Sequence, residues 1–214
     1  MSTTVPPRGD RRHVRQMSGR GRYDRDTVHA ILDACRVGHV AFVVDGQPFS
    51  IPTAIARMGD SLYLHGSRSS RLFQLLAEGA PVSVSVCLVD GLVKARSAFH
   101  CSMNYRSVVV FGCAEVVPDA ERADLLFSFT ERLIPLAREH YRDHLPKELK
   151  ATMLVRLPLD EAAAKLRTGG PVDDAEDLAL PHWAGVIPLT TVLGTPEPAA
   201  DLAPGIAVPA GLGE

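Results

Sequence analysis

Cysteine is scarce in this chain, and none of it is arranged for metal or disulfide chemistry. The four cysteines, Cys35, Cys87, Cys101 and Cys113, form no C-x-x-C pair and no Cys/His pattern with zinc-finger spacing. Cys35, Cys87 and Cys113 stand among apolar residues and read as small core side chains. Cys101, beside His100, is the one in a polar segment. No apolar run reaches membrane-spanning length. The opening MSTTVPPRGDRRHVRQ has no apolar segment of the signal-peptide kind, so a cytoplasmic location is expected, where a disulfide framework is out of place. A net charge of −2 argues against a nucleic-acid or membrane-surface partner. No G-x-G-x-x-G follows a strand, which removes the Rossmann dinucleotide site. Internal repeats are absent too.

What is present is ample apolar material, 46% of 214 residues, enough for one domain with tails. Residues 1–22 are rich in Arg, Gly and Pro and are expected to form a flexible arm. Residues 23–190 carry the domain, and the Pro/Ala/Gly-rich 191–214 reads as a tail. From Asp26 a helix begins, capped by Asp26 or Thr27, with Val28, Ile31, Leu32 and Cys35 on one face. His39–Val44 is a strand. Asp45-Gly46 is a strong hairpin signal, and Phe49–Arg57 is the returning strand. Pro52 interrupts it, which marks an edge, a bulge or a place where something other than a strand lies alongside. Pro81–Val89 alternates as a strand, Gly91 turns it, and Leu92–Ala98 and Tyr105–Val117 follow. Residues 119–145 read as a helix, Thr152–Leu157 as a strand and LDEAAAKL as a short helix. Successive short strands joined by tight turns point to an antiparallel barrel or sandwich.

The organising stretch is Leu62–Leu76, LYLHGSRSSRLFQLL. It opens as a strand, breaks at His65-Gly66-Ser67 and resumes as a helix through Leu72, Leu75 and Leu76. A helix start with free N–H groups, hydroxyls and arginines suits a phosphate. An ordinary serine N-cap accounts for the same residues equally well. His140 and His144, four apart, lack an H-E-x-x-H pattern and a third ligand, so no metal site is expected. Asp173, Asp174, Glu176 and Asp177 read as a solvated acidic loop, with pairing to arginines of the fold or binding of a cation as the alternatives.

The segments QPFSIPTAIAR, DSLYLHGSRSSRLFQLL, DGLVKARSAFHCSMNYRSVVVFG and LRTGGPVDDAEDLALPHWAGVIPL, in this order, resemble the FMN-binding split-barrel family of pyridoxamine 5′-phosphate oxidase. The closer likeness is to its flavin-nucleotide-binding branch, related to the nitroimidazole-resistance (Nim) proteins. The resemblance implies a mainly β fold, a six-stranded antiparallel Greek-key split barrel with peripheral helices. It also implies a homodimer with two FMN sites at the interface. It places Ser67, Ser70 and Arg71 at the flavin phosphate, with Arg68 outside the motif, and the backbone of Pro52, Thr53 and Ala54 beside the ring. His65 stands near the ring, Asn104, Tyr105 and Arg106 reach the site from the rim or the second subunit, and Trp183 walls the pocket. His65 and Tyr105 are the candidate proton donors. Packing explains each as well: a core histidine at 65, a turn with a dimer salt bridge at 104–106, a buried lid at Trp183, an edge strand at Pro52. The implied activity is an FMN-dependent oxidoreductase acting on a small molecule, with a nitroreductase-like role by analogy. Pyridoxamine-phosphate oxidation is not favoured, because the C-terminal Arg-x-His arrangement is missing. The alternatives are a flavin-binding module without turnover, and a barrel holding haem or F420 in place of FMN.

Overall fold

The Asp45-Gly46 hairpin sets the register of the barrel. Both residues take positive φ, 49° and 76°, the type I′ pair that matches the right-handed twist of two joined strands. In this computed structural model, which describes residues 5–212, the hairpin joins β2 (Val37–Val44) to β3 (Gln47–Met58). Residues 1–4 and 213–214, the ends of the expected arm and tail, lie outside the described range. In chain order the other elements are β1 (Gly21–Arg22), α1 (Arg25–Asp33), β4 (Ser61–Ser67), α2 (Arg71–Ala77), β5 (Pro81–Lys94), β6 (Ser102–Cys113), β7 (Glu115–Val116), α3 (Asp119–Leu133), α4 (Pro146–Ala151), β8 (Thr152–Pro158), β9 (Ala162–Arg167) and β10 (Gly185–Pro188).

All pairings are antiparallel, and the strand path is β1-β9-β6-β5-β2-β3-β4-β8-β7, with β10 on β5. β2, β3 and β4 follow one another, and β5 returns beside β2 after α2, which is a Greek key. Strands β2–β6 and β8 form the expected split barrel, and β9 and three short strands extend it to ten. The β6–β9 pairing runs on into the link between β8 and β9, where the Phe111 N–H donates to the Glu161 carbonyl at 2.8 Å. No ladder joins β8 to β9 among the described residues.

The barrel interior is aliphatic. Val40, Ile55, Leu64, Val84, Val110 and Leu157 are buried in one cluster, closed at one end by Val28, Ile31 and Leu32 of α1. A smaller cluster lies outside β4 and β8, where Tyr63 and Leu154 pack against Leu126 and Phe129 of α3. Alternation along β4 separates the two: Leu62 and Leu64 point into the barrel, while Tyr63 and His65 face α3.

Several local expectations are corrected. LDEAAAKL is β9, not a helix: its register with β6 runs from Tyr105–Arg167 to Val110–Ala162. Alanine favours helix intrinsically, but pairing and burial of Ala162, Ala163 and Ala164 prevail. β5 continues through Gly91 with a bulge between Val89 and Gly91 instead of turning. α3 stops at Leu133, and α1 is capped by Asp24, whose carboxylate accepts the Thr27 N–H at 2.8 Å. Cys87 and Cys113 are exposed, because their strand positions face outward, while Cys35 is buried and its thiol is pushed up to about 11 by that burial. Residues 5–22, expected as a flexible arm, make specific contacts: β1 pairs with β9, Arg11 pairs with Glu161 at 2.5 Å, and the Val14 N–H donates to the buried Tyr23 hydroxyl at 3.0 Å.

The acidic loop is tied down at two points. Asp173, its side chain 2% exposed, accepts from the Arg96 N–H and guanidinium at 2.6 and 2.8 Å. Asp174 meets His100 at 3.0 Å. The hydrogen bond to Asp174 raises the His100 pKa above its ordinary 6.5. The pair therefore holds in full below about pH 6.5 and is lost as pH rises through the higher folded value. Hydrogen exchange around residues 171–180 is expected to quicken modestly across that window, the effect of a surface pair being small. His100→Gln is expected to remove the pH dependence, and an unchanged profile in that variant counts against the pair.

Candidate flavin and second-cofactor site

The site begins where two strands part. β3 and β4 pair from Met58–Ser61 to Ile55–Leu64 and no further. Beyond that point residues 47–54 of β3 pair with β2, and residues 65–67 of β4 pair with β8. The split leaves Pro52, Thr53 and Ala54 on one lip and His65, Gly66 and Ser67 on the other. Proline fits here for a reason set by the hairpin. A two-residue loop makes Val44–Gln47 a hydrogen-bonded pair, and such pairs recur at every second position. His39–Pro52 and Val43–Pro48 then fall on the non-bonded positions, so both prolines turn their nitrogens away from β2. Of the readings open for Pro52, the structure shows the edge.

The second lip runs into α2 through Ser67–Ser70. Ser70 is the N-cap, its hydroxyl accepting the Phe73 N–H at 3.3 Å. Ser67 and Ser69 hydroxyls lie 2.8 Å apart. Gly66 is required by packing, since a Cβ there would fall 2.2 Å from the Phe73 ring. Arg71 reaches from α2 to β3, its guanidinium 4.1 Å from the centre of the Phe49 ring, with no carboxylate partner among the described residues. The structure thus places Pro52–Ala54 on one lip of the split, His65 and Ser67 on the other, and Ser70 and Arg71 at the start of the helix that follows.

The other predicted residues lie elsewhere in the same chain, separated from the gap by β2 and β5. Asn104 is buried and holds the loop after β9: its amide donates to the Gly169 carbonyl at 3.1 Å and its oxygen accepts from Arg167, itself buried. Arg106 forms a two-pronged pair with Asp90, at 2.9 and 2.7 Å, in a cleft of about 720 Å³ that also exposes Arg36, Cys87 and Leu189. Tyr105 sits between Val89 and Arg167 in the ladders. Trp183 is 62% exposed and lies over Gly185. Within one chain Tyr105 does not meet His65.

Behind the His65 lip is a region that the spacing of residues does not reveal. The His65 ring stands edge-on to Phe129, centroids 4.5 Å apart. His144, on the segment between α3 and α4, lies 4.2 Å from Phe127. Both imidazoles line one cavity of about 160 Å³. His144 also lines two neighbours, of about 370 Å³ on the Tyr141 side and about 590 Å³ on the Arg68, Arg122 and Lys150 side. Around these spaces the buried Nδ1 of His65, Nε2 of His144, hydroxyl of Tyr141 and Nε atoms of Arg68 and Arg122 have no hydrogen-bond partner among the described residues. Burial holds the His65 pKa below its usual value, so the ring is neutral at pH 7. Arg68 and Arg122 share one carboxylate, Asp119, which leaves positive charge in excess. His144 enters the sequence reading only as a rejected metal partner of His140. Arg122 and the two phenylalanines carry no motif, and only the folding of α3 onto β4 shows their place.

A family model described as pyridoxamine 5′-phosphate oxidase matches residues 24–166. The search of curated proteins finds no match. Among solved structures, the flavocytochrome Anf3 from Azotobacter vinelandii is 43% identical, with 94% of each chain covered and a TM-score of 0.88. The FAD and haem binding protein from Mycobacterium smegmatis is 41% identical, covering 89% of this chain and 94% of that one, with a TM-score of 0.87. A candidate 5-nitroimidazole antibiotic resistance protein from Bacteroides thetaiotaomicron, 18% identical over 68% of this chain and 86% of that one, with a TM-score of 0.57, shares the fold. By the family model, the strand order and the split between β3 and β4, this chain belongs to the flavin-binding pyridoxamine 5′-phosphate oxidase family.

Proposed function

We propose that the protein is a redox protein of the flavocytochrome kind, holding a flavin nucleotide in the split between β3 and β4 and a haem behind it. The observation that carries this reading is His65. It stands on the lip of the split, and its ring, without a hydrogen-bond partner among the described residues, also lines the cavity beside Phe129. The flavin is taken as FAD, in place of the FMN expected from the sequence, because both relatives above 40% identity belong to flavocytochrome or FAD- and haem-binding proteins. The residues fit both groups. Ser67, Ser70 and Arg71 offer hydroxyls and an unpaired guanidinium to a phosphate, and Pro52–Ala54 present backbone to a ring. Phe127 and Phe129 supply apolar walls for a planar macrocycle, imidazoles supply donors for iron, and Arg68, Arg122 and Lys150 supply the positive charge that its carboxylates need.

When bound, the flavin exchanges a hydride or single electrons and the haem iron exchanges single electrons. The chain's own part is to hold the flavin at the edge of β4 that borders the split and the haem on the side that faces α3, with His65 at the junction. Assembly as a homodimer belongs to the same reading. Val37 and Val43 of β2, Val89 and Leu92 of β5, Met103 of β6 and Ile187 of β10 are exposed apolar residues on neighbouring strands, a surface that a second copy would cover. That copy would also bring another Tyr105 and Trp183 to the region. Among the described residues no helix is long and apolar enough to cross a membrane.

The test is the absorption spectrum of the purified chain, followed by denaturation and chromatography of what it releases. Flavin bands and a Soret band together, with FAD in the supernatant, are expected. Release of FMN alone would return the protein to the plain FMN reading. A chain that holds neither group after incubation with FAD and hemin overturns the proposal.

A further inference from the structure

We infer that His65 and His144 are the two axial ligands of the haem, so that the iron is closed on both faces. This rests on the haem reading above. Neither imidazole donates or accepts a hydrogen bond among the described residues, and each has a buried nitrogen without a partner. A buried nitrogen without a partner is unfavourable, and two on one cavity are accounted for by a ligand that satisfies both.

Two polar neighbours in that cavity carry bonds of their own. The Thr130 hydroxyl donates to the Leu126 carbonyl at 2.9 Å. Glu148 accepts from Arg142 at 2.5 and 3.0 Å and from the Leu145 N–H at 2.9 Å. Neither bonds to either histidine among the described residues, and His144 lines all three cavities. The two imidazoles come from different elements, His65 from β4 and His144 from the segment ahead of α4, and each is packed on a different phenylalanine of α3. Beside His144, the surplus charge of Arg68 and Arg122 marks the edge where the carboxylates of a haem would lie. Two ligands from the chain leave no open position on the iron, so the group serves electron transfer and a small-molecule acceptor is met at the flavin.

The experiment is titration of the full chain with hemin, read by the Soret region and by electron paramagnetic resonance. Wild type is expected to give a six-coordinate, low-spin spectrum. His144→Ala is expected to shift it to a five-coordinate, high-spin form while flavin stays bound, and added imidazole is expected to restore the low-spin form. His65→Ala is expected to give the high-spin form from the other side, and His100→Ala, which lines none of these cavities, to change nothing. An unchanged far-ultraviolet circular dichroism spectrum in each variant shows that the fold is kept. A low-spin spectrum that survives His144→Ala overturns the axial pair alone. A wild-type chain that holds flavin but takes up no hemin overturns the haem reading beneath it.

Discussion

Replacing Arg71 with alanine is expected to weaken FAD and FMN by about ten- to a hundredfold, and riboflavin hardly at all. A hydrogen bond to a charged group contributes on the order of 1.5–3 kcal/mol, and each 1.4 kcal/mol is tenfold in affinity. The Arg71 guanidinium has no carboxylate partner among the described residues and lies across the mouth of the split, stacked on Phe49. Its charge is thus available to a phosphate, which riboflavin lacks. The fold is expected to tolerate the change, because the residue is exposed and the stacking contributes only about 0.5–1 kcal/mol at such a site. Arg71→Lys is expected to recover part of the affinity, since lysine keeps the charge but not the planar fork. Titrating variant and wild type with the three flavins checks this. Equal losses for all three would move Arg71 from the phosphate to the ring or the fold.

Phe129→Ala is expected to be the most damaging change to stability near the site. Phe129 is 1% exposed and sits at the centre of the cluster formed by Tyr63, Leu126 and Leu154 between α3 and the sheet. Truncating a buried phenylalanine costs about 3–5 kcal/mol. For a chain of this size that corresponds to a fall in Tm of roughly 6–20 °C. The same ring supports His65 edge-on, so weaker cofactor retention is expected to accompany the fall. Phe129→Leu fills most of the volume and is expected to lose far less stability, while still removing the aromatic edge. Thermal melts of both variants, followed at the cofactor bands and in the far ultraviolet, separate support of the fold from support of His65. A loss of only a degree or two in Phe129→Ala would mean that α3 is not anchored through this residue.

Both predictions concern one lip of the split, and the chain reveals its two halves unequally. The Asp45-Gly46 hairpin, the Ser70 cap and the hand-over from β4 to α2 are decided by residues within a few positions of one another, through backbone φ and nearby hydroxyls. They are legible without a structure for that reason. The hairpin even explains Pro52, because its loop length dictates which strand positions can do without an N–H. The family resemblance, carried by several short segments in order, adds the barrel and the flavin.

What the local pattern misreads is set by distant partners. Ala162–Ala164 would suit a helix, yet β6 and α1 claim them for a strand. Cys87 and Cys113 stand in apolar runs, but alternation turns them outward once their strands are paired. Asn104 and Arg106 carry family-like positions, but Arg167 and Asp90 occupy them in this chain. The cavity shared by His65 and His144 has no sequence signature at all. Its walls come from β4, α3 and the segment before α4, elements far apart in the chain. Only the packing of α3 against β4 and β8 brings two unpaired imidazoles together, and burial, rather than spacing, is what makes them chemically significant.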